Sequence, residues 1–180
     1  MKALLVIDVQ NGIVNSGSFK EELSLMENVI KDFKESKSPV IFMRHFDVLK
    51  ESPLNKNSTG SELHKSLKNY ADYVVEKSTP SSFFNTELSS ILEKLGVKHL
   101  FITGFNTEFC CMFTAISAFD RGYEVTFIEN ATGTVNTGET YEMNDLDIRD
   151  FVGTVLNWSN TIEVLDYDEY VEEYKVDNIL

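Results

Sequence analysis

The sequence predicts an α/β domain of three layers, with a parallel sheet of about six strands between helices. Two observations predict it. Short apolar runs alternate with helical patterns along the chain, and the apolar runs are continuous rather than two-periodic. A strand covered on both faces is apolar on both, and parallel strands need crossovers, usually helical, to join them. No repeat, low-complexity segment or linker breaks the alternation, so residues 1–180 are expected to form a single domain.

The elements follow in order. Residues 3–7, all apolar and bounded by Lys2 and Asp8, form the first strand. Residues 20–36 place Leu23, Met26, Val29, Ile30 and Phe33 at helical spacing, giving a helix with one buried face. Pro39 precedes a second strand at 40–46. Residues 47–71 are polar and aperiodic, a long excursion with one helical turn near His64. A short third strand spans 73–76. A helix at 86–95 has Thr86 as N-cap and Gly96 as stop. The fourth strand is 97–103, followed by Gly104 and a helix at 107–121 closed by Gly122. The fifth strand is 123–129, residues 133–138 are a loop, a helix runs from about 140 to 158, and a sixth strand spans 161–165. The last dozen residues form an acidic tail.

Composition narrows the function. Hydrophobic residues make up 42%, enough for a sizeable core, and thirteen Phe could fill it, line a pocket or bury an interface. The net charge of −13 repels phosphate backbones and anionic headgroups, so neither nucleic acid nor membrane is an expected partner. Residues 3–7 are too short for a signal-peptide core, and no run approaches the roughly 20 apolar residues of a membrane span. Cys110 and Cys111 are sequence neighbours, poorly placed to form a disulfide with each other, which fits reduced thiols and a cytoplasmic location.

Ligands of open α/β sheets bind beyond the carboxyl ends of the strands. Asp8 ends the first strand, Lys77 ends the third, and Cys110 follows the fourth, in the first turn of a helix. Each alone has an ordinary reading: a strand-end acceptor, a solvated charge, an inert core thiol. Together at one sheet edge they suit nucleophilic catalysis. A thiol attacks as thiolate, which a helix start stabilises by roughly 0.3–2 kcal/mol. Asp8 would take the thiol proton and return it to a leaving amine. Lys77 would offset the charge of both and orient Asp8.

The residues that carry this chemistry also carry a resemblance. Residues 3–11, ending Ile7-Asp8-Val9-Gln10-Asn11, resemble the opening strand of isochorismatase-like hydrolases. Lys77 with Ser81-Ser82-Phe83 and Thr86-Glu87-Leu88 is similar to that family's lysine segment. Residues 104–111, Gly-Phe-Asn-Thr-Glu-Phe-Cys-Cys, with Thr114-Ala115, are similar to its nucleophile segment. Ala118, Arg121-Gly122-Tyr123 and Glu129-Asn130-Ala131 continue the pattern. The resemblance covers roughly residues 3–165. It implies that Cys110 is the nucleophile, because in the family that residue follows the Gly-x-x-Thr-Glu/Asp-x stretch directly. Cys111 then stands where the family usually has Val.

The resemblance implies more. A cis peptide maps to Phe105–Asn106, and the backbone N–H groups of Asn106 and Cys110 become an oxyanion hole. Nicotinamidases in this superfamily bind a metal through Asp-x-His and a second His. Here Arg44-His45-Phe46-Asp47 reverses that order and His64 is out of spacing, so neither a metal nor a cofactor is expected. Gln10, His45, Phe83 and Phe109 are candidate substrate contacts by neighbourhood; His64 and His99 are read as structural or surface residues.

The implied activity is hydrolysis of a small-molecule amide or related C–N bond through a Cys110 thioester, by a homo-oligomer, dimer or higher. Two alternatives stand beside it. Vinyl-ether cleavage of the isochorismate type needs no nucleophilic cysteine, so the presence of Cys110 argues against it. A catalytically silent binding or scaffold relative would not need all three residues.

Overall fold

Six parallel strands form one sheet in the computed structural model, which describes residues 1–175. The strands are β1 (Lys2–Ile7), β2 (Val40–His45), β3 (Tyr73–Lys77), β4 (His99–Phe105), β5 (Glu124–Gly133) and β6 (Glu163–Leu165). Their order across the sheet is β3-β2-β1-β4-β5-β6, so the chain grows outward in one direction, then returns to the middle and grows in the other. β1 and β4 pair from Lys2↔His99 to Ile7↔Gly104, with every β1 residue after Lys2 buried. That explains the unbroken apolar run: both faces of the strand are covered.

The helices are α1 (Asn11–Val14), α2 (Lys20–Glu35), α3 (Leu88–Leu95), α4 (Met112–Phe119), α5 (Ile148–Trp158) and α6 (Tyr167–Lys175). One core layer holds Leu88 and Leu92 of α3, Ala115 and Ala118 of α4, and Val152 and Leu156 of α5. The other holds Met26, Val29, Ile30 and Phe33 of α2 with Tyr170 of α6. Leu23 only flanks that second layer. The three-layer expectation therefore matches the structure.

Several boundaries differ for local reasons. The helix expected from 140 to 158 begins only at Ile148, because Asp147 caps it by accepting from the Asp150 N–H at 3.1 Å. Before it lie a 3-10 turn, Gly138–Tyr141, and left-handed residues at Glu142 and Asp145. Thr86 sits one residue before the α3 cap, though its hydroxyl still accepts from Leu88 N–H at 3.3 Å. Gly96, at φ 67°, ends α3 as expected. The excursion 47–71 carries two 3-10 turns, Thr59–Ser61 and Lys68–Tyr70, on either side of His64. The acidic tail is helical as far as Lys175; the rest of it lies outside the described residues. Among the described residues, no helix is long and apolar enough to cross a membrane.

Candidate active site

The strand order reverses between β1 and β4, and their carboxyl ends open a crevice there, where ligands of open α/β sheets bind. Asp8 stands at the end of β1 and Cys110 just past β4. Asp8 has φ 52°, a left-handed conformation that Asp tolerates better than most residues. Gly104, at φ 122°, lets β4 lie against β1: a Cβ there would stand 2.1 Å from the Ile7 carbonyl oxygen. After the cis peptide Phe105–Asn106, the chain enters a π-helical turn, Thr107–Cys111, before α4 begins. Cys110 thus sits in a π-turn rather than in a regular first α-turn.

Lys77 comes from β3, two strands away from β1. Neighbouring strands lie about 4.8 Å apart, so its long stem must cross the end of β2 to reach Asp8. It does so directly above its register partner, His45. Lys77 Nζ stands 2.7 Å from Asp8 Oδ2, donates to Cys110 Sγ at 3.1 Å and to the Thr79 carbonyl at 3.2 Å, and lies 3.3 Å from His45 Nδ1. An ammonium has donors only, so His45 Nδ1 must offer a lone pair, leaving Nε2–H facing Asp47 Oδ1 at 3.4 Å. Ser52 fixes Asp47 from the other side at 2.5 Å.

Burial governs the electrostatics. It pushes the Cys110 thiol up to about 12; the negative Asp8 pushes the same way, against the opposing pull of Lys77. Burial would also lower the Lys77 ammonium, but its pairing with Asp8 and Cys110 outweighs that and holds Lys77 above the ordinary lysine range. The resting cysteine is therefore a neutral thiol, not the stored thiolate that a helix start alone would suggest. Asp8 Oδ1 is buried and has no hydrogen-bond partner among the described residues. Cys111 is fully buried in the α3–α4–α5 core layer, its thiol pushed well up by that burial.

Asp8, His45 and Cys110 offer donor atoms within 4.8 Å of one another, a spacing that could suit a metal ion. The Lys77 ammonium already reaches all three and supplies positive charge among them. His64 is not part of this group: its Nδ1 pairs with Ser66 Oγ at 2.7 Å.

Two of the expected substrate contacts, Gln10 and Phe83, are buried. Gln10 is fully buried, and its amide donates to the His45 and Ser61 carbonyls and accepts from His45 N–H, each at 2.8 Å. It ties the end of β2 to the excursion and has no donor left for a ligand. Phe83 is also buried, stacked on Tyr123 at 6.0 Å with the Arg121 guanidinium 4.8 Å from its ring. Those partners follow α4, so Phe83 serves the core at the helix end remote from Cys110. His45 remains at the site, and Phe109, 39% exposed beside Cys110, remains available to a ligand.

Glu108 was not singled out by the sequence. It is buried beside the nucleophile position, and its Oε1 accepts from Asn136 Nδ2 at 2.7 Å, Thr134 Oγ1 at 2.8 Å and the Tyr141 hydroxyl at 3.0 Å. Asn106 Oδ1 accepts from Val135 N–H at 3.1 Å. These bonds anchor the 134–141 segment to the π-turn. Only the acidic residue inside the nucleophile motif hinted at this.

The pattern of the isochorismatase domain family matches residues 2–159. Nicotinamidase 3 of Arabidopsis thaliana is 35% identical over 151 residues, 74% of each chain. A second protein of that plant, described as a "probable inactive nicotinamidase", is 30% identical and covers 89% of this chain and 95% of its own. A crystal structure from Burkholderia xenovorans LB400, provisionally described as an isochorismatase, superposes with a TM-score of 0.84 at 28% identity, over 95% of this chain and 86% of that one.

Proposed function

This chain belongs to the isochorismatase family, and from that premise we propose that it is a cysteine hydrolase cleaving a small-molecule amide or related C–N bond. The observation that carries the reading is the partnerless, buried Asp8 Oδ1 close to a neutral thiol, with Lys77 bonded to both side chains. A carboxylate oxygen left unbonded in the interior is costly unless it has a proton to collect. Nicotinamidase 3, an amide hydrolase by name, supports the substrate class.

The chemistry follows from these positions. As the amide carbonyl approaches, Asp8 takes the Cys110 proton while the S–C bond forms. Sulfur therefore needs no standing charge in the resting site. The carbonyl oxygen becomes an oxyanion, for which the Asn106 and Cys110 backbone N–H groups are the proposed donors. Asp8 then protonates the nitrogen as the C–N bond breaks, and ammonia or an amine leaves a thioester. Water attacks that thioester with Asp8 again as base, the S–C bond breaks, and the acid departs as the thiol regains its proton. Throughout, Lys77 stays charged and keeps the two acidic groups in register. His45 and Phe109 line the approach.

The test is ammonia release from a panel of small primary amides, nicotinamide among them, by the wild type and by Cys110→Ala. Release by the wild type alone supports the reading. Equal release by both variants, or none from any amide, contradicts it.

A further inference from the structure

Four acceptors crowd one ammonium at the site. Asp8 Oδ2, Cys110 Sγ, the Thr79 carbonyl and His45 Nδ1 stand 2.7, 3.1, 3.2 and 3.3 Å from Lys77 Nζ. An ammonium has three N–H groups, so one acceptor always goes without. His45 Nδ1 is the farthest of the four. Its lone pair is the one that the site can release to another donor with least loss.

The rest of the ring is held for that task. Nε2–H faces Asp47 Oδ1 at 3.4 Å, which keeps the ring proton off Nδ1. Asp47 is fixed in turn. Ser52 Oγ donates to its Oδ2 at 2.5 Å, its N–H donates to the Leu54 carbonyl at 2.9 Å, and its carbonyl accepts from Lys56 N–H at 3.0 Å. The Ser52 hydroxyl, with help from His45, holds the Asp47 carboxyl below the usual carboxylate range, so it stays an anion. An imidazole with one free lone pair and a carboxylate behind its N–H is equipped to serve a nucleophile. Cys110 already has Asp8 for its proton. The nucleophile left to serve is water.

Exposure and spacing agree. The Asp8 and Lys77 side chains are closed to solvent, whereas His45 is 16% and Asp47 40% exposed, so water has a way in along this side. Asp8, His45 and Cys110 each present an atom within 4.8 Å of the other two. Two acceptors that close can share one water, since each hydrogen bond spans about 2.8 Å. The same spacing puts that water beside a carbon bonded to Cys110 Sγ.

We infer that His45 is a catalytic residue that holds the hydrolytic water, with Asp47 as its positioning residue. This rests on the cysteine-hydrolase reading above. In the thioester, one hydrogen of the water points to His45 Nδ1 and the other to Asp8. The water oxygen bonds to the thioester carbon as Asp8 takes the second hydrogen. The C–S bond then breaks, sulfur receives that proton from Asp8, and the new acid keeps its O–H on His45 until it leaves. Thioester formation consumes no water, so His45 acts in the second half of the reaction.

The test follows acetyl gain and acetyl loss at Cys110 separately. The full chain is mixed with 4-nitrophenyl acetate, the reagent is removed by gel filtration, and peptide mass spectrometry reads the acetyl group over time. His45→Phe should slow loss about tenfold or more beyond any effect on gain. Asp47→Asn, which lets the ring proton settle on Nδ1, should slow loss selectively by a smaller factor, and it carries the test should His45→Phe not fold. His45→Gln, which keeps an acceptor, should recover part of the rate of loss. Gain and loss slowed by the same factor, or loss as fast as in the wild type, overturns the role of His45 and leaves the Cys110 chemistry standing. A wild type that never carries acetyl on Cys110 overturns both.

Discussion

Lys77 Nζ stands 2.7 Å from Asp8 Oδ2, and both side chains are closed to solvent, at 0% and 1% exposure. A buried pair of this kind owes its place to mutual compensation, since each charge alone is strongly disfavoured in the interior. Lys77→Met should therefore cost about 3–5 kcal/mol by leaving Asp8 uncompensated. Lys77→Met with Asp8→Asn should recover much of that loss in urea unfolding, without recovering any hydrolysis. A double variant no more stable than Lys77→Met would show that the ion pair is not what couples the two positions.

Thiol chemistry should respond to the two partners in opposite directions. Burial and Asp8 push the Cys110 thiol up to about 12, while Lys77 pulls it down. In Asp8→Asn the thiol should ionise at lower pH and react faster with iodoacetamide at pH 9. In Lys77→Met it should ionise at higher pH and react more slowly. Peptide mass spectrometry separates Cys110 from the fully buried Cys111, which should stay unlabelled while the protein is folded. Shifts of the same sign in both variants would refute this electrostatic account.

Glu129 gives the fold a pH dependence of its own. Burial, then Asp166 and Asp150, push its carboxyl up to about 7 from 4.5. Folded Glu129 keeps its proton up to about pH 7, whereas the unfolded chain releases it near pH 4.5. Between those values the folded state binds more protons, so this residue's contribution to stability should fall as pH rises and level off above about 7. Glu129→Gln should flatten that part of the profile. Thermal unfolding of both proteins across pH 4–9 reads the difference, and parallel curves would rule out the shift.

Two glycines with positive φ should differ sharply. A Cβ at Gly104 would meet Ile7 oxygen at 2.1 Å and Ile7 nitrogen at 2.6 Å, whereas at Gly122 nothing lies within 4 Å. Gly122→Ala should cost only the conformational penalty, about 1 kcal/mol. Gly104→Ala must also push β4 off β1, and should exceed that several-fold or prevent folding. Similar urea midpoints for the two variants would contradict the close approach of these strands.

Much of this architecture was legible in the sequence. The buried strands could be read because both faces are covered, so their apolar runs are unbroken; β1 is the clearest case. The strand-end positions of Asp8 and Lys77, and Cys110 just beyond β4, could be read because strand ends define where a sheet presents chemistry. What escaped were features set by direction and by distant partners. Proximity to Asp8 in sequence said nothing of Gln10 turning inward to saturate its amide, nor did Lys77 reveal Phe83 packing beneath the far end of α4. Glu108 finds two partners, Thr134 and Asn136, in a segment read as a loop, and a third, Tyr141, where a helix pattern hid a 3-10 turn. The suppressed ionisation of Cys110 was hidden as well, because it depends on burial that only packing produces.

The most direct test of the Cys110–Asp8 chemistry uses an activated ester, 4-nitrophenyl acetate, and so needs no knowledge of the natural amide. Rapid mixing at pH 7.5 followed by acid quench and peptide mass spectrometry locates the acetyl group. A burst of nitrophenolate with acetylation at Cys110 is expected, lost in Cys110→Ala and strongly slowed in Asp8→Asn. Acetyl groups on surface lysines or Cys111 alone, or a burst unchanged in Asp8→Asn, would contradict it.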